Sequence, residues 1–301
     1  MRRTFLPWIE CQKEKLDWNR LSFITVEMDI LQQNQDKIDW YAYCQNKHAT
    51  PLVEGYTDKI DWLYVYVNIE TISLLEKNIK KIYWHNLSCN SKAVSFLENN
   101  PDYIVWSHLS QNIHAIPLLE QNIDKINWSQ LSNNINAISI LEKHLDKINW
   151  SQLSNNINAI SILETHLDKI DWSQLSNNIN AIPLLEQNMD KIDWSQLSNN
   201  INAIPLLEQN MDKIDWSRLS NNINAISILE KHLDKIDWSQ LSNNINAIPL
   251  LEQNIDKIDF YILSLNTNIY TYDYEYYRRR MDIHREDLMK KVFHPHRLIE
   301  L

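Results

Sequence analysis

Glycine is almost missing from this chain: Gly55 is the only one in 301 residues, where average usage predicts about 20. Phosphate-cradling loops and dinucleotide folds need glycine for positive φ and for close backbone approach, so no such motif can be written here. That argues against kinases, P-loop ATPases and Rossmann enzymes. Cysteine is also scarce. Cys11, Cys44 and Cys89 are odd in number and lack zinc-like spacing, and they read as thiols of a reducing compartment. Positive charge is in deficit, at a formal net of −10, which argues against binding nucleic acid over a broad surface. No stretch approaches the ~18 apolar residues of a membrane span. Pro7 and Glu10 break the apolar run that a signal peptide would need after Met1-Arg2-Arg3. The expectation is a soluble, cytoplasmic protein without a membrane partner.

Tryptophan, by contrast, is abundant, with twelve residues. Trp18, Trp40, Trp62, Trp84, Trp106, Trp128, Trp150, Trp172, Trp194, Trp216 and Trp238 each follow the last by 22 residues, Phe260 takes the next slot, and Trp8 alone is out of phase. Eleven units therefore run from Trp18 to Asp259, with these aromatics expected as the core of the repeat.

A clean unit runs from Trp194 to Asp215, reading WSQLSNNINAIPLLEQNMDKID. With Trp as position 1, apolar residues at 11, 14, 18 and 21 recur at helical spacing. Asp193 before Trp194 is an N-cap signal, Gln196 completes a capping box, and Ile192 with Leu197 form a hydrophobic staple. A short helix A is expected from Trp194 to Ser198, followed by Asn199 and Asn200, residues that tolerate the left-handed region and turns. Proline at position 12 (Pro117, Pro183, Pro205, Pro249) fits only the first turn of a helix. With Asn202 as N-cap, helix B is expected from Ala203 to Asn210, with Pro205 at the third position.

Two helices this short cannot stand alone, because ordering 22 residues costs more than one unit's own apolar burial returns. Each unit needs a neighbour on its second apolar face, which is the logic of a solenoid. The expected fold is therefore all-α, an α-solenoid of eleven two-helix repeats with a cap at each end. Stacking at ~8–10 Å per unit predicts a rod or superhelix on the order of 100 Å long. The alternative is a leucine-rich-repeat horseshoe, since Met189, Ile192 and Trp194 imitate its ladder. Leu197 and Asn199 then fall where that ladder wants asparagine and an apolar residue.

Four regions follow from the pattern. Residues 1–17 read as an N-terminal cap, 18–105 as divergent repeats, 106–259 as near-identical repeats, and 260–301 as a degenerate repeat with a capping helix. That helix spans Met281 to Phe293 and ends at Pro295. The divergent units carry Tyr41, Tyr43, Tyr64, Tyr66 and His85, the candidates for contact with a partner.

Glu at position 15, Asp at 19 and Lys at 20 recur as columns. Catalysis needs one unlike pair of acids in a closed pocket, which a repeated exposed column does not offer, so these read as a solvated face. Asparagines at positions 6, 7 and 17 read as a ladder that satisfies turn carbonyls and amides. His144, His166 and His232 replace the turn asparagine at position 17, and His294-Pro295-His296 is a weak metal signal. Tyr270 to Arg280 interleaves aromatics with arginine as single-strand platforms do, but residues 260–301 are nearly neutral overall. No catalytic residue, cofactor site or metal site is expected.

The unit Leu-Ser-x-Asn-x-Asn-Ala-Ile-x-Leu-Leu-Glu-x-Asn-x-Asp-Lys-Ile-x-Trp, as in Leu197 to Trp216, resembles the short tandem-repeat proteins of giant nucleocytoplasmic large DNA viruses. So do the Leu6-Pro7-Trp8-Ile9 entry and the closing Tyr272-Asp273-Tyr274 and Val292-Phe293-His294-Pro295 segments. Many members carry proline after the second Asn, where this chain has Ile113, Ile135 and Ile157. The resemblance implies a protein of the infected host cytoplasm and an interaction role without catalysis. The leading expectation is a non-enzymatic scaffold that binds another protein. A structural or assembly component of the virus particle is the second, and a nucleic-acid-binding repeat protein the third.

Overall fold

The computed structural model describes residues 3–24, 28–46 and 78–272. The protein is an all-α repeat array in which short helices succeed one another and neighbouring helices touch. In the Trp194 unit, helix A spans Trp194–Ser198 and helix B Ile204–Glu208, and a third element follows, a 3-10 turn over Met211–Lys213. Asp193 caps helix A as expected, its carboxylate accepting from the N–H groups of Ser195 and Gln196 at 3.1 Å each. Helix B differs from expectation. Its N-cap is Ala203 with no side-chain bond, and Pro205 sits at the second helical position, because Asn202 is committed elsewhere.

None of the described residues has positive φ. The turns are built from extended and right-handed backbone instead, such as Asn178 at φ −73° and Asn188 at φ −135°. The left-handed asparagines anticipated after helix A are therefore absent. Among the described residues no leucine-rich-repeat ladder forms either. Among the described residues the strands are β1 (Arg3–Phe5) and β2 (Tyr270–Tyr272), paired antiparallel with Thr4 opposite Thr271.

Leu197, Ala203 and Leu207 are wholly buried, and their equivalents line the array unit after unit. Two polar side chains share this interior, Ser198 at position 5 and Asn200 at position 7. Ser198 Oγ donates to Trp194 O at 2.8 Å and accepts from Asp215 N at 3.0 Å, tying helix A to the cap of the next helix A. Asn200 Nδ2 donates to Ser176 O and Asn178 O of the preceding unit, at 3.1 and 3.0 Å, while its Oδ1 accepts from Asn202 N at 3.0 Å. Asn202 Nδ2 then reaches Ile179 O at 2.9 Å. The asparagine ladder is real at positions 7 and 9, and at 17 the amide closes helix B within its own unit, as Asn210 does onto Leu206 O.

Among the described residues the tryptophans, expected as the core of the repeat, stand at its edge. They are half-buried plates packed against the core, with a polar lid on the outer face. The lid is the lysine at position 20 in several units, 4.4 Å above Trp194 for Lys213 and 4.7 Å above Trp172 for Lys191. Where His stands at position 17 it takes the lid's place, 5.0 Å from Trp128 for His144 and from Trp150 for His166. The displaced Lys147 and Lys169 turn to the neighbouring Asp146 and Asp168. In the Trp84 unit Tyr103 holds position 20 and stacks on Trp84 at 4.4 Å.

The expected rod is replaced by an array that returns to its own beginning. Asp17 N donates to Ser264 Oγ at 2.8 Å, the same bond that Asp215 makes to Ser198 inside the array. Lys15 lies over Phe260 at 4.9 Å, as Lys37 lies over Trp18 at 5.1 Å. Leu6 N donates to Ile269 O at 2.9 Å, and Arg20 stacks on Tyr261 at 3.7 Å. Residues 260–272 supply helix A of one more unit, and residues 6–17, reading LPWIECQKEKLD, supply its helix B and 3-10 turn. The end segments read as separate caps are, where described, two halves of a twelfth unit. The capping helix expected over Met281 to Phe293 lies outside the described residues.

Two measurements test this architecture. Asn200→Ala removes three bonds and takes the side-chain donor from the Ser176 carbonyl and the acceptor from Asn202 N, while Asn178 O keeps Ala181 N, so urea unfolding should show a loss on the order of 2–4 kcal/mol. Asn199→Ala, one residue away and bonded to no other side chain, should cost less than about 0.5 kcal/mol. Equal losses would show that the ladder does not hold the units. For the seam, Thr4→Cys with Thr271→Cys in a Cys11→Ser, Cys89→Ser background should form an intramolecular disulfide on mild oxidation, read as faster non-reducing electrophoretic migration. Cross-linked dimers alone would contradict the meeting of the ends.

Candidate interaction surface

The described units offer two chemically different sides. Helix A presents positions 2, 3 and 6 to solvent, one helical face by their spacing. From the Trp128 unit through Asn243 these positions hold serine, glutamine and asparagine, and Arg218 is the one charged exception. Helix B and the 3-10 turn present charge instead. Glu142, Glu164 and Glu186 at position 15, with Asp146, Asp168 and Asp190 at 19, are all exposed, so the acidic columns stand in solvent as the sequence suggests.

The helix A side is tightly knit between units. Ser195 Oγ donates to Asp215 Oδ2 at 2.6 Å, Arg218 donates to Gln196 Oε1 at 3.0 Å, and Asn243 donates to Asn221 Oδ1 at 3.3 Å. Burial draws the Asp215 carboxyl upward, but the Ser195 hydroxyl, the backbone N–H of Arg218 and the Arg218 charge outweigh it and hold it below the ordinary carboxylate value. Asp193 behaves alike, with the Ser173 hydroxyl and the Gln196 and Ser195 amides overcoming burial. Burial alone pushes the Cys89 thiol up. On the helix B side the units splay. A cleft of about 260 Å³ opens between the Trp194 and Trp216 units, lined by Glu208, Met211, Ile228, Lys231 and His232.

The residues proposed from sequence for partner contact do not share one fate. Tyr41, at position 2 of its unit, is 54% exposed. Tyr43 is completely buried and meets Trp40 edge-on at 5.6 Å. It occupies position 4, the leucine slot of the core, so it cannot touch a partner. His85 is exposed and meets the His108 ring at 5.3 Å. Tyr64 and Tyr66 lie outside the described residues, as do His294 and His296. What the sequence did not single out are Phe23 and Tyr261, exposed aromatics on the helix A side near the seam. Position within the register was the available signal, since Tyr261 and Tyr41 occupy the same slot.

Among the described residues no three His, Cys, Asp or Glu side chains converge on one point, and no helix is long and apolar enough to cross a membrane. No protein-family model, curated protein or solved structure matches the chain.

A carboxyl depressed in the folded state contributes stability that is present above its unfolded value and lost as pH falls through the folded one, here below about pH 4. Ser195→Ala removes the hydroxyl that holds Asp215 down. The stability gap between the native chain and this variant, read from urea midpoints, should be open at pH 7 and narrow as the pH falls below about 4. A gap of the same size throughout would show that the Ser–Asp bond does not depress the carboxyl.

Proposed function

We infer that the protein is a non-enzymatic scaffold whose repeated surface binds another protein, and that it acts in a virus-infected cell. One observation carries the first part. The side chains that hold the array together, at positions 5, 7 and 9, are distinct from an equally regular set at positions 3 and 6 that mostly holds nothing. A side chain repeated without structural employment is available for contact. The viral setting rests only on the resemblance of the repeat.

The seam favours this reading over an end-to-end assembly component of a particle, because the described parts of the two end segments, residues 3–17 and 260–272, pack on each other. Nucleic-acid binding is disfavoured by the net charge of −10 and by the near absence of cations on the helix A side.

The test is site-specific photo-crosslinking in cells making the full chain, with the photoreactive residue replacing Gln152 on the helix A side or Glu164 on the helix B side. A discrete protein adduct from position 152 is expected. Adducts confined to nucleic acid, or protein adducts from neither position, would overturn the scaffold reading.

A further inference from the structure

Within the uniform stretch of the array, the side chains of Gln130, Gln152 and Gln174 at position 3 are exposed and make no hydrogen bond within the chain. Asn133, Asn155 and Asn177 at position 6 are equally unengaged. This contrasts with positions 7, 9 and 17, where the amides of Asn200, Asn202 and Asn210 are all spent on carbonyls. A primary amide offers donors and an acceptor together, which suits a peptide backbone and not a phosphate chain. The pattern of contacts also gives the side on which this row lies. Neighbouring units bond directly across the helix A side, at Arg218–Gln196 and Asn243–Asn221, whereas the helix B side opens into the cleft lined by Glu208 and His232. In an array whose ends meet, the compressed side is the inner one.

We propose that this inner amide row is a track for an extended, polyproline-II-like polypeptide that advances one turn, three residues, per unit. The proposal deepens the scaffold reading and rests on it. Helices pack ~8–10 Å apart, and a polyproline-II segment climbs ~9.3 Å in three residues while leaving its carbonyls free of internal bonds. Each unit therefore meets the same face of the ligand, and each glutamine or asparagine amide donates to one carbonyl. A β-strand alternates its faces every residue and would meet successive units out of phase. An α-helix has already spent its carbonyls.

The test uses fluorescein-labelled (Thr-Pro-Gln)n peptides, with n from two to five, titrated against the full chain by fluorescence anisotropy. Affinity is expected to rise roughly threefold with each added triplet. Intermediate lengths should gain little. Gln130→Glu with Gln152→Glu and Gln174→Glu should weaken the four-triplet peptide about tenfold. Glu142→Gln with Glu164→Gln and Glu186→Gln, on the opposite side, should change it less than about twofold. A length dependence without the triplet step overturns the track, as does equal binding by an Ala-Glu-Lys helical peptide or by oligothymidylate. Self-association abolished by Gln130→Glu with Gln152→Glu and Gln174→Glu, seen in sedimentation, would give the row to a second copy and overturn it too. If the peptides fail while photo-crosslinking at position 152 still captures a protein, the scaffold reading survives and the extended ligand does not.

Discussion

The interaction on which the rest depends is the transfer of buried hydrogen bonds from each unit to the next. A wholly apolar interface between two-helix units could slide, since burial has no direction. Ser198 and Asn200 remove that freedom. Both are inaccessible; Asn200 is satisfied only if the preceding unit stands in one register, and Ser198 fixes the Asp215 cap from which the next helix A starts. Leaving such groups unpaired inside the protein costs more than the bonds themselves contribute, so the penalty for a slipped unit fixes the stacking. The carboxylate at position 22 extends the same logic to the surface, accepting from Ser195 of its own unit while capping helix A of the next.

The near-absence of glycine follows from this. Short helices joined by tight turns ordinarily call for left-handed residues at their ends. Here helix A closes into extended asparagine, and helix B runs through a broad turn at position 17 into a 3-10 segment. The asparagine amides supply donors to carbonyls that a left-handed cap would otherwise have satisfied from the backbone. Side-chain chemistry at positions 7, 9 and 17 replaces the conformational freedom of glycine, and it links or closes the units in the same step. A unit built this way is repeatable without strain.

Much of this was legible before any coordinates. The 22-residue tryptophan period gave the repeat, and the Asp-Trp-Ser-Gln start placed helix A to the residue. Helix B was misplaced because Asn202 resembles an N-cap, while its amide is spent on Ile179 of another unit, which no local pattern reveals. The 3-10 turn, at three residues, is too short to show a period. The 22-residue period marks tryptophan as the core of the repeat without showing which face is covered. A plate that wide at a unit edge keeps one face outward and takes a lysine, histidine or tyrosine over it. Tyr43 could have been read correctly, since position 4 is leucine in the clean units and its burial follows from register. Whether a chain of such units curls enough to meet itself depends on small angles summed over many joints, and sequence does not encode those visibly.

The seam nonetheless left a trace. Carrying the register back from Trp18 places Leu6-Pro7-Trp8-Ile9-Glu10 at positions 11 to 15, where the array reads Ile-Pro-Leu-Leu-Glu, so Trp8 is out of phase only with the other tryptophans. Half a unit at the start and the complementary half at the end would be an odd arrangement for two caps, each of which would want a polar outer face. It is what a closed array requires, because neither half can bury its apolar side without the other. The joint between them reuses the interior contacts, serine to cap and lysine over aromatic ring, and adds a two-stranded clasp in which Phe5 meets Tyr270 at 5.2 Å. At the interior joints the chain itself also passes from unit to unit. At the seam noncovalent contacts act alone, Arg20 on Tyr261 among them.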